Sequence, residues 1–331
     1  MVRIAVDGMG GDFAPQAIVK GAEQAFNEKI ADVVLVGDKT KLNTFLENPG
    51  GMEIVHTDEY VEMTESPSIA LRRKRGSSVN KAFELVRTGN VQGVVTAGNS
   101  GAAMAFAIFT LGRIGLVERP AIATLQPNVA KGTITVLLDG GGNVDCKPVN
   151  LAQFAIMGSA FAKSAFGTAT PRVGLLSNAE EETKGNDLTR EAHTMIKELG
   201  LNYLGYIEGN NVHNGHVDVV VCDGFVGNIA LKITEGVAES LMTFLKENIE
   251  KSLKKKIGYL LMKEIFDELA KKTDYSEYGG APLLGVDGVC IICHGRSNDR
   301  AIKNAISMAA GYVKKNLNES IKDAMIDHFK G

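Results

Sequence analysis

Six short loops in this chain are built almost wholly from residues that donate hydrogen bonds or carry charge. Each follows an apolar run that reads as a strand. The first is Asp7-Gly8-Met9-Gly10-Gly11-Asp12, after the run 2–6. Gly98-Asn99-Ser100-Gly101-Ala102 follows 94–97, and Asp139-Gly140-Gly141-Gly142-Asn143-Val144-Asp145 follows 136–138. Asn178, the three glutamates 180–182 and Thr183-Lys184-Gly185-Asn186 follow 175–177. Asp223-Gly224-Phe225-Val226-Gly227-Asn228 follows 219–222, and His294-Gly295-Arg296-Ser297-Asn298 follows 290–293. Glycine lets a backbone approach an anion closely, and free N–H groups at a helix start point at it. After the first loop come Pro15, suited to a first helical turn, and the helical pattern Ile18, Val19, Ala22, Ala25, Phe26. Any one such loop is an ordinary strand-to-helix turn, because these residues favour turns and N-caps. Six in one chain argue for a shared cleft rich in amide donors.

The usual nucleotide fingerprints are absent. A G-x-G-x-x-G read from Gly8 would need glycine at Phe13, and no Gly-Lys-Ser/Thr is present. There is no G-x-S-x-G nucleophile motif either. A net charge of −3, 6% aromatic residues and no tryptophan give no bulk attraction to nucleic acid and little surface for stacking bases. Of the four cysteines, Cys290 and Cys293 form a C-x-x-C inside the strand-like run 288–294, where positions three apart face opposite sides. With no second pair to complete a zinc site, Cys146, Cys222, Cys290 and Cys293 read as reduced core thiols of a cytosolic protein. The chain starts on a strand rather than a signal peptide, and no apolar run reaches the ~20 residues of a spanning helix.

The elements that must position the loops alternate. Strands are expected at 2–6, 33–37, 53–56, 92–96, 121–125, 133–138, 172–177, 203–207, 217–222 and 288–293, and helices at 15–28, 39–47, 78–88, 100–114, 148–166, 187–199, 227–250 and 297–316. This predicts an α/β fold with a largely parallel, doubly wound sheet covered by helices on both faces, with ligands at the carboxyl ends of strands. At 331 residues the chain is expected to form a single α/β domain, 1–331, or a bilobal one. The segment 251–286 breaks the alternation and reads as an amphipathic helical insertion.

Together the loops resemble one family, the bacterial phosphate acyltransferase of phospholipid synthesis. Its members make acyl-phosphate from a fatty acyl-acyl carrier protein and inorganic phosphate. The carrying segments are DGMGGDFAP at 7–15, RRKRGSS at 72–78, AGNSGA at 97–102, NVDCKP at 143–148, EEETKGN at 180–186, DGFVGN at 223–228, YGGAPLLG at 278–285 and HGRS at 294–297. Two positions depart from the family pattern: Gly142 stands where alanine is common, and Ala179 where glycine is. The resemblance implies a three-layer α/β/α sandwich, isocitrate-dehydrogenase-like and phosphotransacetylase-like, dimeric and without a cofactor.

The reaction so implied is attack of phosphate on a thioester. It asks for positioning, charge neutralisation and an oxyanion hole rather than a strong base. For phosphate the expected residues are Gly10, Gly11, Asn99, Ser100 and Gly101. Lys184 is the expected catalytic cation, unless it only neutralises its acidic loop. Asn228 would donate to the thioester oxygen, or else cap its helix. His294 would protonate the leaving thiolate or pin phosphate, or else be satisfied structurally. Asp7, Asp139, Asp145 and Asp223 could hold Mg²⁺; the preferred reading is that they bond loop N–H groups and orient the lysine, with no metal. Arg72-Arg73-Lys74-Arg75 would dock the acidic acyl carrier protein. Ile257, Leu260, Leu261 and Ile265 would meet a partner subunit or an anionic membrane, where a downstream acyltransferase consumes the product. The enzyme is thus expected in the cytoplasm, or peripheral at the membrane. The alternatives are a short-chain phosphotransacylase using coenzyme A, an NAD-dependent dehydrogenase and a non-enzymatic lipid-pathway scaffold.

Overall fold

The computed structural model describes residues 1–130, 134–273 and 275–329. Residue 133 of the strand expected at 133–138, residue 274 of the segment 251–286 and residues 330–331 of the expected domain lie outside the described residues. The strands are β1 Arg3–Asp7, β2 Asp32–Gly37, β3 Glu53–His56, β4 Gly93–Thr96, β5 Ala121–Pro127, β6 Ile134–Leu138, β7 Val173–Leu176, β8 Tyr203–Ile207, β9 Val219–Val221, β10 Ala281–Leu284 and β11 Val289–Ile292. The first seven helices are α1 Gln16–Asn27, α2 Lys39–Asn43, α3 Pro67–Arg73, α4 Ser78–Arg87, α5 Ser100–Thr110, α6 Pro148–Phe166 and α7 Asp187–Lys197. They are followed by α8 Gly224–Glu250, α9 Leu253–Leu261, α10 Lys263–Thr273, α11 Tyr275–Tyr278, α12 Asp299–Lys314 and α13 Leu317–His328.

Among the described residues, eleven strands join one sheet in the order β3-β2-β1-β4-β11-β10-β5-β6-β9-β7-β8. The pairings from β3 to β11 are parallel, as are those from β6 to β8. Strand β10 runs antiparallel to both β11 and β5, and β5 antiparallel to β6. The two parallel blocks therefore run in opposite directions. Their inner strands are short, buried apolar runs, as parallel strands covered on both faces must be. One core cluster spans both blocks, from Ile4, Leu35 and Val95 to Leu138, Phe154 and Val219.

The segment expected to be a helical insertion begins with α9, α10 and α11 but ends in β10, in the middle of the sheet. Four residues with Pro282 among them carry little strand signal, since proline cannot donate to a ladder. Two further helices were unexpected. One is α3; the other is α13, cut from α12 by Asn316 in the left-handed region at φ 50°.

Candidate active site

The reversal of strand direction corrects the single shared cleft. The loops form two clusters of three, because β1, β4 and β11 run one way and β6, β7 and β9 the other.

The first cluster gathers the loops after β1, β4 and β11. Asp12 N–H donates to the Gly295 carbonyl at 2.7 Å. A Cβ on Gly10 would meet the Gly98 Cα at 2.8 Å, and one on Gly11 the Gly295 carbonyl oxygen at 3.2 Å. Only glycines allow this approach. Asp7, fully buried, lies beneath. Its carboxylate accepts from Thr96 Oγ1 at 2.8 Å and from Met9 N–H at 3.3 Å. Burial pushes the Asp7 carboxyl above its ordinary range, against hydrogen bonds from Ser78, Thr96 and the amides of Met9 and Gly10. Gly10 thus shapes the wall, with its amide turned to Asp7. Gly11, at φ 115°, has an amide with no partner among the described residues.

Helix α5 starts at this cluster. Asn99, rather than Ser100, is its N-cap, accepting from Ala102 N–H at 3.0 Å. The Asn99 side-chain amide donates to the Met63 and Glu65 carbonyls at 2.8 and 3.0 Å, so this side chain is fully engaged and ties in the loop before α3. Gly101 is required because a Cβ there would meet Pro67 Cγ at 2.8 Å. The amides of Ser100 and Gly101 have no partner among the described residues. With Gly11 they leave three open donors at a helix N-terminus, where the macrodipole also favours an anion. His294 is exposed, and its Nδ1 accepts from Arg296 N–H at 3.1 Å.

The second cluster gathers the loops after β6, β7 and β9. The buried Asp139 carboxylate accepts from the amides of Ile122, Gly141, Gly142 and Asn143 and from Asn143 Nδ2, at 2.6 to 3.2 Å. The triple glycine therefore gives its amides of 141 and 142 to an internal carboxylate rather than offering them to a ligand. Asp223 caps α8 by accepting from Val226 N–H at 2.9 Å, which puts Asn228 inside the first turns and not at the cap. The Asn228 side chain lies over Gly141, where a Cβ would meet its Cγ at 3.4 Å. Lys184 is exposed, with no side-chain partner among the described residues. Its acidic neighbour Glu182 pairs instead with Lys197. Asp145 is exposed, and none of the four aspartates bonds Lys184 among the described residues. Ala179 needs no glycine-like backbone: the described non-glycine residues at positive φ are Lys29 and Asn316.

The clusters meet where Gly142 faces α5; a Cβ on Gly142 would lie 3.0 Å from Met104 Sδ. A cavity of about 710 Å³ opens there, lined by Met104, Ile108, Arg113, Arg119, Gly142 and Asn143. That volume is in the range of small-molecule sites.

The basic run divides. Arg72 and Arg73 end α3 exposed. Lys74 pairs with Glu65 at 2.7 Å and donates to the Tyr60 carbonyl at 2.9 Å. Arg75 sits 5.3 Å over the Phe109 ring of α5. Ile257, Leu260, Leu261 and Ile265 are all more than half exposed, at 54, 69, 83 and 62%. All four cysteines are free, and burial pushes the Cys146 and Cys293 thiols up to about 12, so neither is a nucleophile at neutral pH. Sequence reasoning missed Thr96 and Ser78, which hold Asp7. Both sit inside quoted segments or beside them, but the arginines of RRKRGSS drew the functional reading away from its serines.

A mostly parallel, three-layer α/β/α sandwich with two glycine-built loop clusters and open amides at a helix start defines a layered α/β protein. A sequence profile described as "Fatty acid synthesis protein" matches residues 2–320. A phosphate acyltransferase of Geotalea daltonii is 51% identical, over 99% of this chain and 95% of its own. One of Pelotomaculum thermopropionicum is also 51% identical, over 98% and 95%. The fold is shared with a phosphotransacetylase from Streptococcus pyogenes, at TM-score 0.66 and 16% identity over 95% of this chain and 94% of that one. The chain belongs to the phosphate acyltransferase family.

Proposed function

We propose that this enzyme moves a long-chain fatty acyl group from acyl carrier protein to inorganic phosphate, giving acyl-phosphate for membrane phospholipid synthesis. A phosphate oxygen attacks the thioester carbonyl carbon; the C–O bond forms, the C–S bond breaks, and the thiolate leaves with the electron pair and takes up a proton. The observation that carries this reading is the trio of open amides, Gly11, Ser100 and Gly101, at the start of α5. They suit phosphate, with the Ser100 hydroxyl beside them and Gly10 and Asn99 as their frame. Lys184 neutralises the developing charge and Asn228 donates to the thioester oxygen. His294, beside the phosphate loops, relays to the thiolate the proton that the attacking hydrogen phosphate loses. Asp7, Asp139 and Asp223 fix loop shape; Asp145 faces solvent beside them.

Arg72 and Arg73 support docking of the acidic carrier protein, with Lys74 and Arg75 anchoring the run. Two further surfaces support assembly. Helix α8 exposes Ile229, Ile233, Val237, Leu241 and Phe244 along one stripe, suited to a second copy of the chain. Ile257, Leu260, Leu261 and Ile265 on α9 and α10, flanked by Lys254, Lys255 and Lys256, suit an anionic membrane surface.

The test is acyl-phosphate formation from acyl-acyl carrier protein plus phosphate, with acyl-CoA as the competing donor. Carrier-dependent product, and a kcat lower by about 10²-fold in Asn228→Ala, are expected, the usual loss of one oxyanion donor. Preference for acyl-CoA would overturn the carrier assignment, and no product from either donor would leave only a scaffold role.

A further inference from the structure

Beneath the loop that carries Lys184 lie two buried polar atoms with no hydrogen-bond partner. These are His193 Nε2 and Tyr206 Oη. His193, on α7, is 7% exposed, and Tyr206, on β8, is 4% exposed. Their rings stack, with centroids 4.5 Å apart and planes inclined by 22°. On its other side His193 Nδ1 lies 2.7 Å from the Tyr203 hydroxyl. Buried polar atoms are nearly always paired, so two orphans on touching rings mark a place where a partner arrives.

The loop stands directly over them. A Cβ on Gly185, which sits at φ 86°, would meet the Tyr206 hydroxyl at 3.2 Å, so the Cβ side of Gly185 faces that oxygen. Glu182 Oε1 lies 3.9 Å from His193 Nε2, too far for a hydrogen bond but within a small shift of one. In the observed arrangement Glu182 is held by Lys197 instead. Burial and the Lys197 ammonium hold the His193 imidazole below its ordinary range, so at neutral pH it carries one proton. A Tyr203 hydroxyl that donates to Nδ1 leaves that proton on Nε2, facing Glu182. Lys184 lies between the two contact points, one residue from Gly185 and two from Glu182.

We propose that His193 and Tyr206 are positioning residues that latch the 180–186 loop and thereby set Lys184. On closure His193 Nε2–H donates to Glu182, and the Tyr206 hydroxyl donates to the loop backbone. This rests on the reading of Lys184 as the catalytic cation. It adds two residues outside the strand-end loops to the machinery of the site.

Tyr206→Phe removes only an unpartnered hydroxyl, so the fold is expected to keep its full thermal stability. kcat is nevertheless expected to fall about tenfold, the worth of one hydrogen bond, with KM for the acyl donor unchanged. His193→Phe should do the same, and His193→Gln, which keeps a donor near the Nε2 position, should restore most of the loss. In a Lys184→Ala background Tyr206→Phe should cost nothing further. The independent readout is amide hydrogen exchange over residues 180–186, with and without saturating inorganic phosphate. Exchange slowed by phosphate in the wild type but not in Tyr206→Phe supports the latch. Unchanged exchange and unchanged kcat in Tyr206→Phe overturn it. Full activity of Lys184→Ala would instead overturn the role of the lysine, and the exchange data would still decide the latch.

Discussion

A hydrogen atom where other residues carry a methyl group lets α8 begin against the 139–143 loop. A Cβ on Gly227 would fall 1.9 Å from the Asp139 carbonyl oxygen, and one on Gly224 2.7 Å from the Asn143 backbone. Backbone cannot yield as a side-chain end can. Gly227→Ala is therefore expected to destabilise by about 3 kcal/mol or more, at the upper end of overpacking costs. Gly142→Ala meets no backbone, but the flexible Met104 Sδ at 3.0 Å and the Asp139 carboxylate oxygens at 3.2 and 3.3 Å, and should cost less, about 1–2 kcal/mol. Urea midpoints of the two variants measure the contrast; equal losses would refute the packing account. The glycines were legible in the sequence as special, but their reason was not. Periodicity and composition give no sign of which amide faces a ligand and which faces a buried carboxylate such as Asp139. A second residue-scale expectation concerns Arg172 and Asp218, which tie the start of β7 to β9. Asp218 is partly buried, which raises its pKa, but the Arg172 guanidinium and amide more than offset this and hold the carboxyl below its ordinary range. A depressed folded pKa contributes stability above the unfolded value of about 3.9 and loses it as pH falls through the folded value. Asp218→Asn should lose stability at pH 7 and approach the wild type as pH falls below the unfolded value of about 3.9, as read by thermal melts across pH.

At the scale of elements, the long apolar runs were readable because buried parallel strands and amphipathic helices each have a plain signature. Expected and observed spans of β1, β3, β8, α1, α4 and α6 agree to within a residue or so at each end. Short elements failed for physical reasons: β10 carries a proline, α3 is seven residues long and buries only Ala70, and a single left-handed Asn316 divides α12 from α13. The division of the basic run is the functional consequence. Because Lys74 is held by Glu65 and Tyr60 while Arg72 and Arg73 are exposed, reversing charge at different members should give different outcomes. Arg72→Glu with Arg73→Glu should raise KM for acyl carrier protein by about tenfold or more at low salt, with stability unchanged and a weaker salt dependence. Lys74→Glu should lower stability instead, by leaving Glu65 facing a like charge. Steady-state kinetics over a salt series, paired with thermal melts, distinguish these; unchanged KM in the double variant would remove the docking role.

For the whole molecule, strand direction was the property hidden from the sequence, since apolar periodicity is the same whichever way a strand runs. The reversal at β10 and β5 divides the loops into two clusters, joined through a continuous sheet and a common core rather than a linker. The same architecture leaves α8 projecting, its stripe of Ile229, Ile233, Val237, Leu241 and Phe244 between 43 and 63% exposed. The first four recur every fourth residue, so they lie on one face of the helix. Contiguous apolar faces of this length mark interaction surfaces, and a symmetric pair of such helices would bury both. The tip is different in kind, because Leu253, Ile257, Leu260 and Leu261 adjoin three consecutive lysines and suit an anionic surface. The two faces can be separated by substitution. Ile233→Glu with Leu241→Glu is expected to convert a dimer to a monomer in sedimentation equilibrium while leaving flotation with anionic liposomes intact. Leu260→Glu with Leu261→Glu should abolish flotation and keep the dimer. If one pair of changes removed both properties, the two faces would be a single surface, and the membrane would be bound only by the assembled dimer. A wild-type chain sedimenting as a monomer would instead leave the α8 stripe free for a different protein.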